Sequence, residues 1–478
     1  MKTLTENQKL QHPKRISAVV IKKLFGLYDY TLPGDSIFAN IAVLYGENGV
    51  GKSTILRMVF HLLSGTKNQS SSHLRSLYNI RFEKITVLIG NDVEVSATQL
   101  KKSNSKVMKL SIQVGGRSFE WDYSPHESRI IRFDESDIFD EYYTSMDYNS
   151  LEVGMESYDL SEIKLNKIRD KQFKNRLGYY STLRKVVPEV FLLNADRRLD
   201  GDSIADPADE VQLRRMVNNK EPRSIYGLVS RSREIALAQA LNSAHKWIST
   251  KVVEGNNLGA ENVHSVYINV LKHLSTSSQV FDLSDDKNTK EGLLKRLEEI
   301  DLLTKNLSKY ELATILDTQS FFTALSDETK SYYHVSVELL SPYIDSLESR
   351  LNALIPIYNI IHKFVTTINE MLTDKTISYN LKTGFYINSS LGEKLEPSYL
   401  SSGEQQLLLL FLYVLVARDS KSLFMIDEPE ISLNIKWQRN LIKALVDITD
   451  GESTQFIFAS HSMEILSVHL DKVIRLEH

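Results

Sequence analysis

Apolar residues along the chain change their spacing several times, and each change predicts an element. Ile41–Leu44 is a short continuous apolar run, the pattern of a buried strand. From Ile55 the apolar positions fall at helical spacing through Leu56, Val59, Phe60, Leu62 and Leu63, with Gly65 as a stop signal. Upstream, Val19–Leu32 is rich in β-branched and aromatic residues and predicts one or two strands. Runs at 85–89, 93–97, 107–114 and 118–123 read as strands of a small antiparallel layer. Val190–Leu193 is a short apolar strand that ends in the polar sequence Asn194–Arg198.

From about Glu234 to Leu372 the pattern is helical, most clearly over 291–307 and 335–372. No long heptad run is present, which predicts a compact helical insert or short hairpin rather than a long coiled coil. Polar breaks at 256–259 and 282–289 mark its loops. Residues 377–380 and 384–388 predict a hairpin, Leu407–Ala417 an apolar helix, and Ser422–Ile426 and Phe456–Ala459 two buried strands. Helices alternating with parallel-type strands give an α/β fold class.

Composition narrows this picture. With 42% hydrophobic and 25% charged residues, the 478-residue chain reads as globular, long enough for two or three domains. A net charge of −4 argues against a global nucleic-acid footprint. Cysteine is absent, which excludes disulfides, thiol catalysis and Cys-ligated zinc. Met1–Ile16 is polar and mildly basic with no apolar signal-peptide segment after it, and Leu407–Val416 is short for a membrane span. The expectation is a soluble cytoplasmic protein without a membrane partner.

Charge is nonetheless uneven. Residues 133–148 are acidic and aromatic, a partner surface, a metal cluster or a solvated loop. Residues 161–185 are basic, with Lys164, Lys167, Arg169, Lys171, Lys174, Arg176, Arg184 and Lys185, and Arg214, Arg215, Arg223, Arg231 and Arg233 follow. These suit nucleic acid, an acidic partner or a solvated helical face.

The sharpest chemistry sits between the first buried strand and its helix: Gly46-Glu47-Asn48-Gly49-Val50-Gly51-Lys52-Ser53-Thr54. Strand, glycine-rich loop and helix is the context of a phosphate-binding P-loop. The glycines allow backbone N–H groups to close on phosphate oxygens, Lys52 adds a full charge, and Ser53 offers a hydroxyl to Mg²⁺. Phe25, Tyr28 and Tyr30 are candidates to stack on an adenine, or plain strand residues; strand packing is the favoured alternative. Asn194–Arg198 lies where α/β sheets place ligand contacts and is either a nucleotide or Mg²⁺ sensor or a polar turn. Later, Ser401-Ser402-Gly403-Glu404 opens the apolar helix as a capping box, with an unexplained glycine in its first turn. Asp427-Glu428-Pro429-Glu430 ends one buried strand, and Ser460-His461-Ser462 ends the next.

In this order the motifs resemble the ABC-type ATPase head of the SMC, RecF and OLD-like group. Leu400–Gln406 and Asp427–Asn434 look most like the OLD-like and defence-associated branch, such as the ATPase subunits of Septu-type, PARIS-type or retron-associated systems. The resemblance covers roughly residues 16–200 and 375–478. It implies a P-loop ABC-type head, a mixed sheet with flanking helices and an antiparallel β-layer, interrupted by a mostly α-helical insert. The implied divisions are 1–200, 201–374 and 375–478.

It also implies roles. ATP would lie on Gly46–Thr54, with Ser53 and Asp427 holding Mg²⁺. Lys52 would neutralise phosphate charge, Glu428 would act as general base, and His461 would be the switch residue at the γ-phosphate. Ser401, Ser402, Gly403 and Glu404 match the signature motif, which in this group faces the nucleotide of a second copy, so ATP would hold a homodimer or higher homo-oligomer. Ser402 replaces the first glycine of the common signature. Asn434 stands where relatives often carry His or Asp. No glutamine has an obvious Q-loop context; Gln99 and Gln113 lie in or beside the β-layer, and the 194–198 loop is the substitute.

The resemblance implies an ATPase subunit of an anti-phage defence complex. Because the short stretch after His461 carries no acidic metal constellation, a separate nuclease or toxin effector of HNH or TOPRIM type is expected. The alternative is a RecF- or SMC-like DNA repair ATPase using the basic stretches on nucleic acid. A transporter ATPase subunit ranks last, because the separation of Gly46 from Gly403 is large for such a head.

Overall fold

The computed structural model describes residues 15–34, 38–64, 72–102, 105–125, 167–193, 199–201, 234–257, 290–316, 319, 321–322, 333–431, 433–449 and 454–476. The acidic–aromatic stretch 133–148, the 194–198 loop, Lys164 and the later arginines lie outside the described residues. So do residues 258–259 of the first polar break and all of 282–289. The chain forms two compact units, one from 1–221 with 417–478, the other from 222–416.

In chain order the first unit opens with β1 (Ile16–Leu24), β2 (Tyr28–Leu32) and β3 (Ile41–Tyr45). Helices α1 (Lys52–Leu63) and α2 (Ser72–Asn79) follow, then β4 (Lys84–Ile89), β5 (Val93–Lys102), β6 (Ser105–Val114) and β7 (Arg117–Tyr123). Helix α3 (Lys167–Val186), β8 (Glu189–Leu193) and β9 (Leu199–Gly201) complete this stretch. The second unit holds α4 (234–257), α5 (Lys290–Ser308), α6 (Tyr333–Asn352) and α7 (Ile355–Met371). It continues with β10 (Lys375–Asn380), β11 (Gly384–Ser389), β12 (Lys394–Leu395) and α8 (Ser402–Ala417). The chain then returns to the first unit with β13 (Ser422–Asp427), α9 (Ile435–Thr449), β14 (Thr454–Ala459), α10 (Met463–Val468) and β15 (Val473–Arg475).

Among the described residues the first unit contains a six-stranded antiparallel sheet ordered β2-β1-β4-β5-β6-β7. Its strands alternate: Ile85, Val87 and Ile89 are buried while their neighbours are partly exposed, as expected of a sheet with one covered face. The 19–32 stretch forms the hairpin β1–β2, and the runs at 85–123 form β4–β7.

A second sheet is ordered β15-β3-β14-β13-β8-β9, parallel except for the β8–β9 pair. Strands β13 and β14 are buried at every position, which explains their unbroken apolar runs. Phe424 lies in register with Phe191 and Phe456, and the rings stack at 4.5 and 5.7 Å between centroids. Each such pair adds about 0.5–1.5 kcal/mol beyond its buried area. This ladder fixes the register that levels the carboxyl ends of the strands: Asp427 is opposite Ala459, and Ala459 is opposite Leu44.

The second unit is helical, with a three-stranded sheet ordered β10-β11-β12. Leu293, Leu297, Ile300 and Leu307 form the buried face of α5, and Ile361, Phe364, Ile368 and Met371 that of α7. The Arg296 guanidinium on α5 grips Glu348 of α6 through two bonds of 2.8 and 2.9 Å and also bonds Asp345. Asn369 on α7 accepts from the Ile377 amide at 2.7 Å and donates to its carbonyl at 3.0 Å, joining α7 to β10. No helix of the described residues is long and apolar enough to cross a membrane.

Candidate nucleotide site

The loop after β3 turns directly into α1. Gly51, immediately before the helix, has φ +95, and a Cβ there would meet Leu24 Cδ2 at 2.9 Å and Phe25 Cε2 at 3.3 Å. Gly49 has φ +89 with open space around it, so at that position the backbone conformation alone requires glycine. Tyr30, buried on β2, donates its hydroxyl to the Val50 carbonyl at 2.8 Å and stacks on Tyr28. Tyr30 is therefore committed to supporting the loop. Phe25, beside Gly51 and 36% exposed, is the more accessible of these aromatics.

Lys52 is only 6% exposed and donates to the Gly46 carbonyl at 2.8 Å and the Glu47 carbonyl at 2.9 Å. Its ammonium thus bridges the mouth of its own loop. Burial lowers its pKa, opposed by the nearby carboxylates of Glu428, Asp427 and Glu430. Ser53 donates its hydroxyl to Asp427 Oδ1 at 2.8 Å. Asp427 is 3% exposed, and burial raises its pKa. The Ser53 hydrogen bond and Arg57 oppose that shift, while Glu428 and Glu430 reinforce it.

Glu428 follows with φ +48, a left-handed conformation that costs a non-glycine residue of order 1 kcal/mol or more. It is held by its own amide, which donates to the Ala459 carbonyl at 2.8 Å. The next carboxylate, Glu430, turns toward the end of β14. One of its oxygens accepts from the amides of His461 at 2.7 Å and Ser462 at 3.1 Å; the other accepts from the Ser460 hydroxyl at 2.9 Å. From sequence alone Glu430 has no role. The available signal is a third carboxylate in Asp427–Glu430 and two serines flanking His461.

A cavity of ≈ 670 Å³ opens here, lined by Tyr45–Asn48, His461, Arg475 and Leu476. Tyr45 and Arg475 are opposite each other in the β3–β15 pair. Arg475 is not legible as a site residue from sequence, because β15 is a short strand without a motif. The structure therefore brings Gly46–Thr54, Asp427, Glu428 and His461 together at the ends of β3, β13 and β14.

The signature residues belong to the other compact unit. Ser401 and Glu404 form the expected capping box: the Ser401 amide donates to Glu404 at 2.6 Å, and the Glu404 amide donates to the Ser401 hydroxyl at 3.3 Å. Lys375 also bonds both Glu404 oxygens, at 2.9 and 3.2 Å. Burial would raise the Glu404 pKa, but Lys375 and Ser401 prevail and hold it below the usual range. Ser401 and Ser402 are exposed, whereas Gly403 and Glu404 are buried.

Other candidate residues have local tasks. Asn434 accepts from the Trp437 amide at 2.9 Å, a cap on α9. Gln99 donates to the carbonyls of Ile80 at 2.7 Å and Tyr78 at 3.2 Å, so its amide is occupied by the turn after α2. Gln113 is exposed on β6. Among the described residues, no group of three or more His, Asp or Glu side chains forms a metal site. Ser53 and Asp427 nonetheless fit Mg²⁺, which takes one or two protein oxygens and fills its remaining positions with phosphate and water.

A family described as "AAA domain, putative AbiEii toxin, Type IV TA system" matches residues 186–467, more than half of the chain. Among solved structures, the chain is similar to the Smc head domain with an extended coiled coil, bound to the C-terminal domain of ScpA, from Pyrococcus furiosus. That match has 12% identity and a TM-score of 0.33 and covers 95% of this chain and 91% of the other. An SmcHead bound to the C-winged helix domain of ScpA matches at 11% identity and a TM-score of 0.31, with the same coverage of 95% and 91%. No curated protein matches the chain.

Proposed function

We propose, for a chain that belongs to this AAA-domain family, that it is an ATP-hydrolysing ABC-type subunit of an anti-phage defence complex, closing on ATP with a second copy and controlling a separate nuclease or toxin. The observation that carries the ATPase reading is the Ser53–Asp427 hydrogen bond of 2.8 Å. It joins the P-loop helix to the carboxylate-bearing strand end, the pairing that a Mg²⁺–nucleotide site needs.

The chemistry follows from the residues. Amides of Gly46–Thr54 receive the phosphates of ATP, and Lys52 moves its donors from the loop carbonyls to phosphate oxygens. Ser53 and Asp427 hold Mg²⁺, which when bound neutralises phosphate charge. Glu428, next along the chain, polarises the attacking water. His461 faces the same cavity and contacts the γ-phosphate. Ser401 and Ser402, the exposed half of the signature, reach the nucleotide of the second copy. The family's description supports the defence context, and the partner of HNH or TOPRIM type is the effector held or released by closure.

The test is to measure Mg²⁺-dependent phosphate release by the purified chain, alone and with the product of a neighbouring reading frame. Hydrolysis that depends on Lys52, with nuclease or toxin activity only in the pair, is the expected result. Nuclease activity of the isolated chain would overturn the separate effector. ATP-dependent, strongly salt-sensitive DNA binding without an effector would point instead to a RecF- or SMC-like repair role.

A further inference from the structure

We propose that Glu430 is a positioning residue for His461, acting on the phosphoryl-transfer step rather than on nucleotide binding; this rests on the ATPase reading above. Two neighbouring amides, those of His461 and Ser462, converge on one oxygen of Glu430 at 2.7 and 3.1 Å. Paired contacts of this kind fix the orientation of the intervening peptide, and with it the direction in which the His461 side chain leaves the backbone. The second oxygen takes the Ser460 hydroxyl at 2.9 Å, and that hydroxyl oxygen accepts the Ser462 amide at 3.0 Å. Without the carboxylate, the His461 donor just before α10 would lose its partner.

The same turn is tied on its other side. Glu428 donates its amide to Ala459 at 2.8 Å, the residue two before His461. Gln438 on α9 closes the loop of bonds: it donates to the carbonyls of Leu433 at 2.9 Å and Glu430 at 3.3 Å. It also accepts the Ser462 hydroxyl at 2.7 Å. Glu428 and His461 are thus held to one frame, with Glu430 as the link whose side chain reaches from one to the other. The geometry calls for an acceptor oxygen, with no need for a negative charge. Glutamine can supply that oxygen, while its amide nitrogen faces the Ser460 hydroxyl as a donor.

The experiment uses the full chain with Glu430→Ala and Glu430→Gln, each also made in a His461→Ala background. Glu430→Ala should lower kcat by about 10²-fold, the scale of a misplaced reacting group, with ATP affinity unchanged. Glu430→Gln should recover most of the loss. In the His461→Ala background Glu430→Ala should cost nothing further. Hydrogen exchange at the His461 and Ser462 amides should accelerate in Glu430→Ala and stay slow in Glu430→Gln. An equal loss in both backgrounds, or unchanged exchange in Glu430→Ala, would overturn the proposal. Absence of hydrolysis in the wild type would count against the ATPase reading, while the exchange measurement would still judge the link between Glu430 and the His461 backbone.

Discussion

Ser53 and Asp427 are 374 residues apart in sequence and 2.8 Å apart in space. The bond places a carboxylate at a buried strand end, where burial raises its pKa. For an acid with a raised folded pKa, the stabilising contribution is present below the unfolded pKa and is lost as pH rises through the folded one. At neutral pH the charged Asp427 therefore costs the nucleotide-free protein stability. Asp427→Asn should raise Tm by a few degrees at most, since about 1 kcal/mol shifts a domain of 150–250 residues by roughly 2–4 °C and a larger one by less. It should also abolish Mg²⁺-dependent hydrolysis. Differential scanning fluorimetry beside a phosphate-release assay checks both; a lowered Tm with normal hydrolysis would contradict the assignment.

Lys375 and Glu404 make the opposite case. Glu404 has a lowered pKa, so its contribution is present above the unfolded value and is lost as pH falls through the depressed folded value. Lys375→Ala should cost about 1–3 kcal/mol at pH 7, the penalty of a buried group left without its partner. The loss should shrink in acid. Glu404→Ala, which also removes the reciprocal half of the capping box at the start of α8, should destabilise by at least roughly 1 kcal/mol. Chemical denaturation at pH 7 and pH 4 reads both effects.

His61 and His73 meet at 3.1 Å between their Nδ1 atoms, one on α1 and the other on α2. Burial, then His73 and Arg57, lower the His61 pKa from 6.5 to about 4. The neutral ring's stabilising contribution is complete above pH 6.5 and is lost as pH falls toward about 4. His61→Phe, similar in volume, should flatten the fall in Tm over that interval. An unchanged pH profile would mean that other groups dominate acid sensitivity.

Much of this arrangement is legible in the sequence because it is local. The fixed spacing from Gly46 to Ser53 and the unbroken apolar runs of β13 and β14 announce a loop and two strand ends. The capping box of Ser401 and Glu404 spans four residues and is read the same way. What escapes is long-range. Glu430 has its partners at 460–462, and Arg475 reaches the cavity wall only because β15 pairs with β3. Gln99 looks like a free amide until its carbonyl partners are seen. Gly403 has no side chain to signal its environment, and the structure buries it.

The central claim is that the shared ends of β3, β13 and β14 hydrolyse ATP, with Glu428 polarising the water. The most direct measurement is steady-state phosphate release from Mg²⁺–ATP by the wild type and Glu428→Gln, with bound ATP and oligomer mass recorded on the same samples. The account predicts a fall in kcat of about 10²–10⁴-fold, with ATP retained and dimers or higher assemblies accumulating. Hydrolysis by Glu428→Gln at the wild-type rate would contradict it.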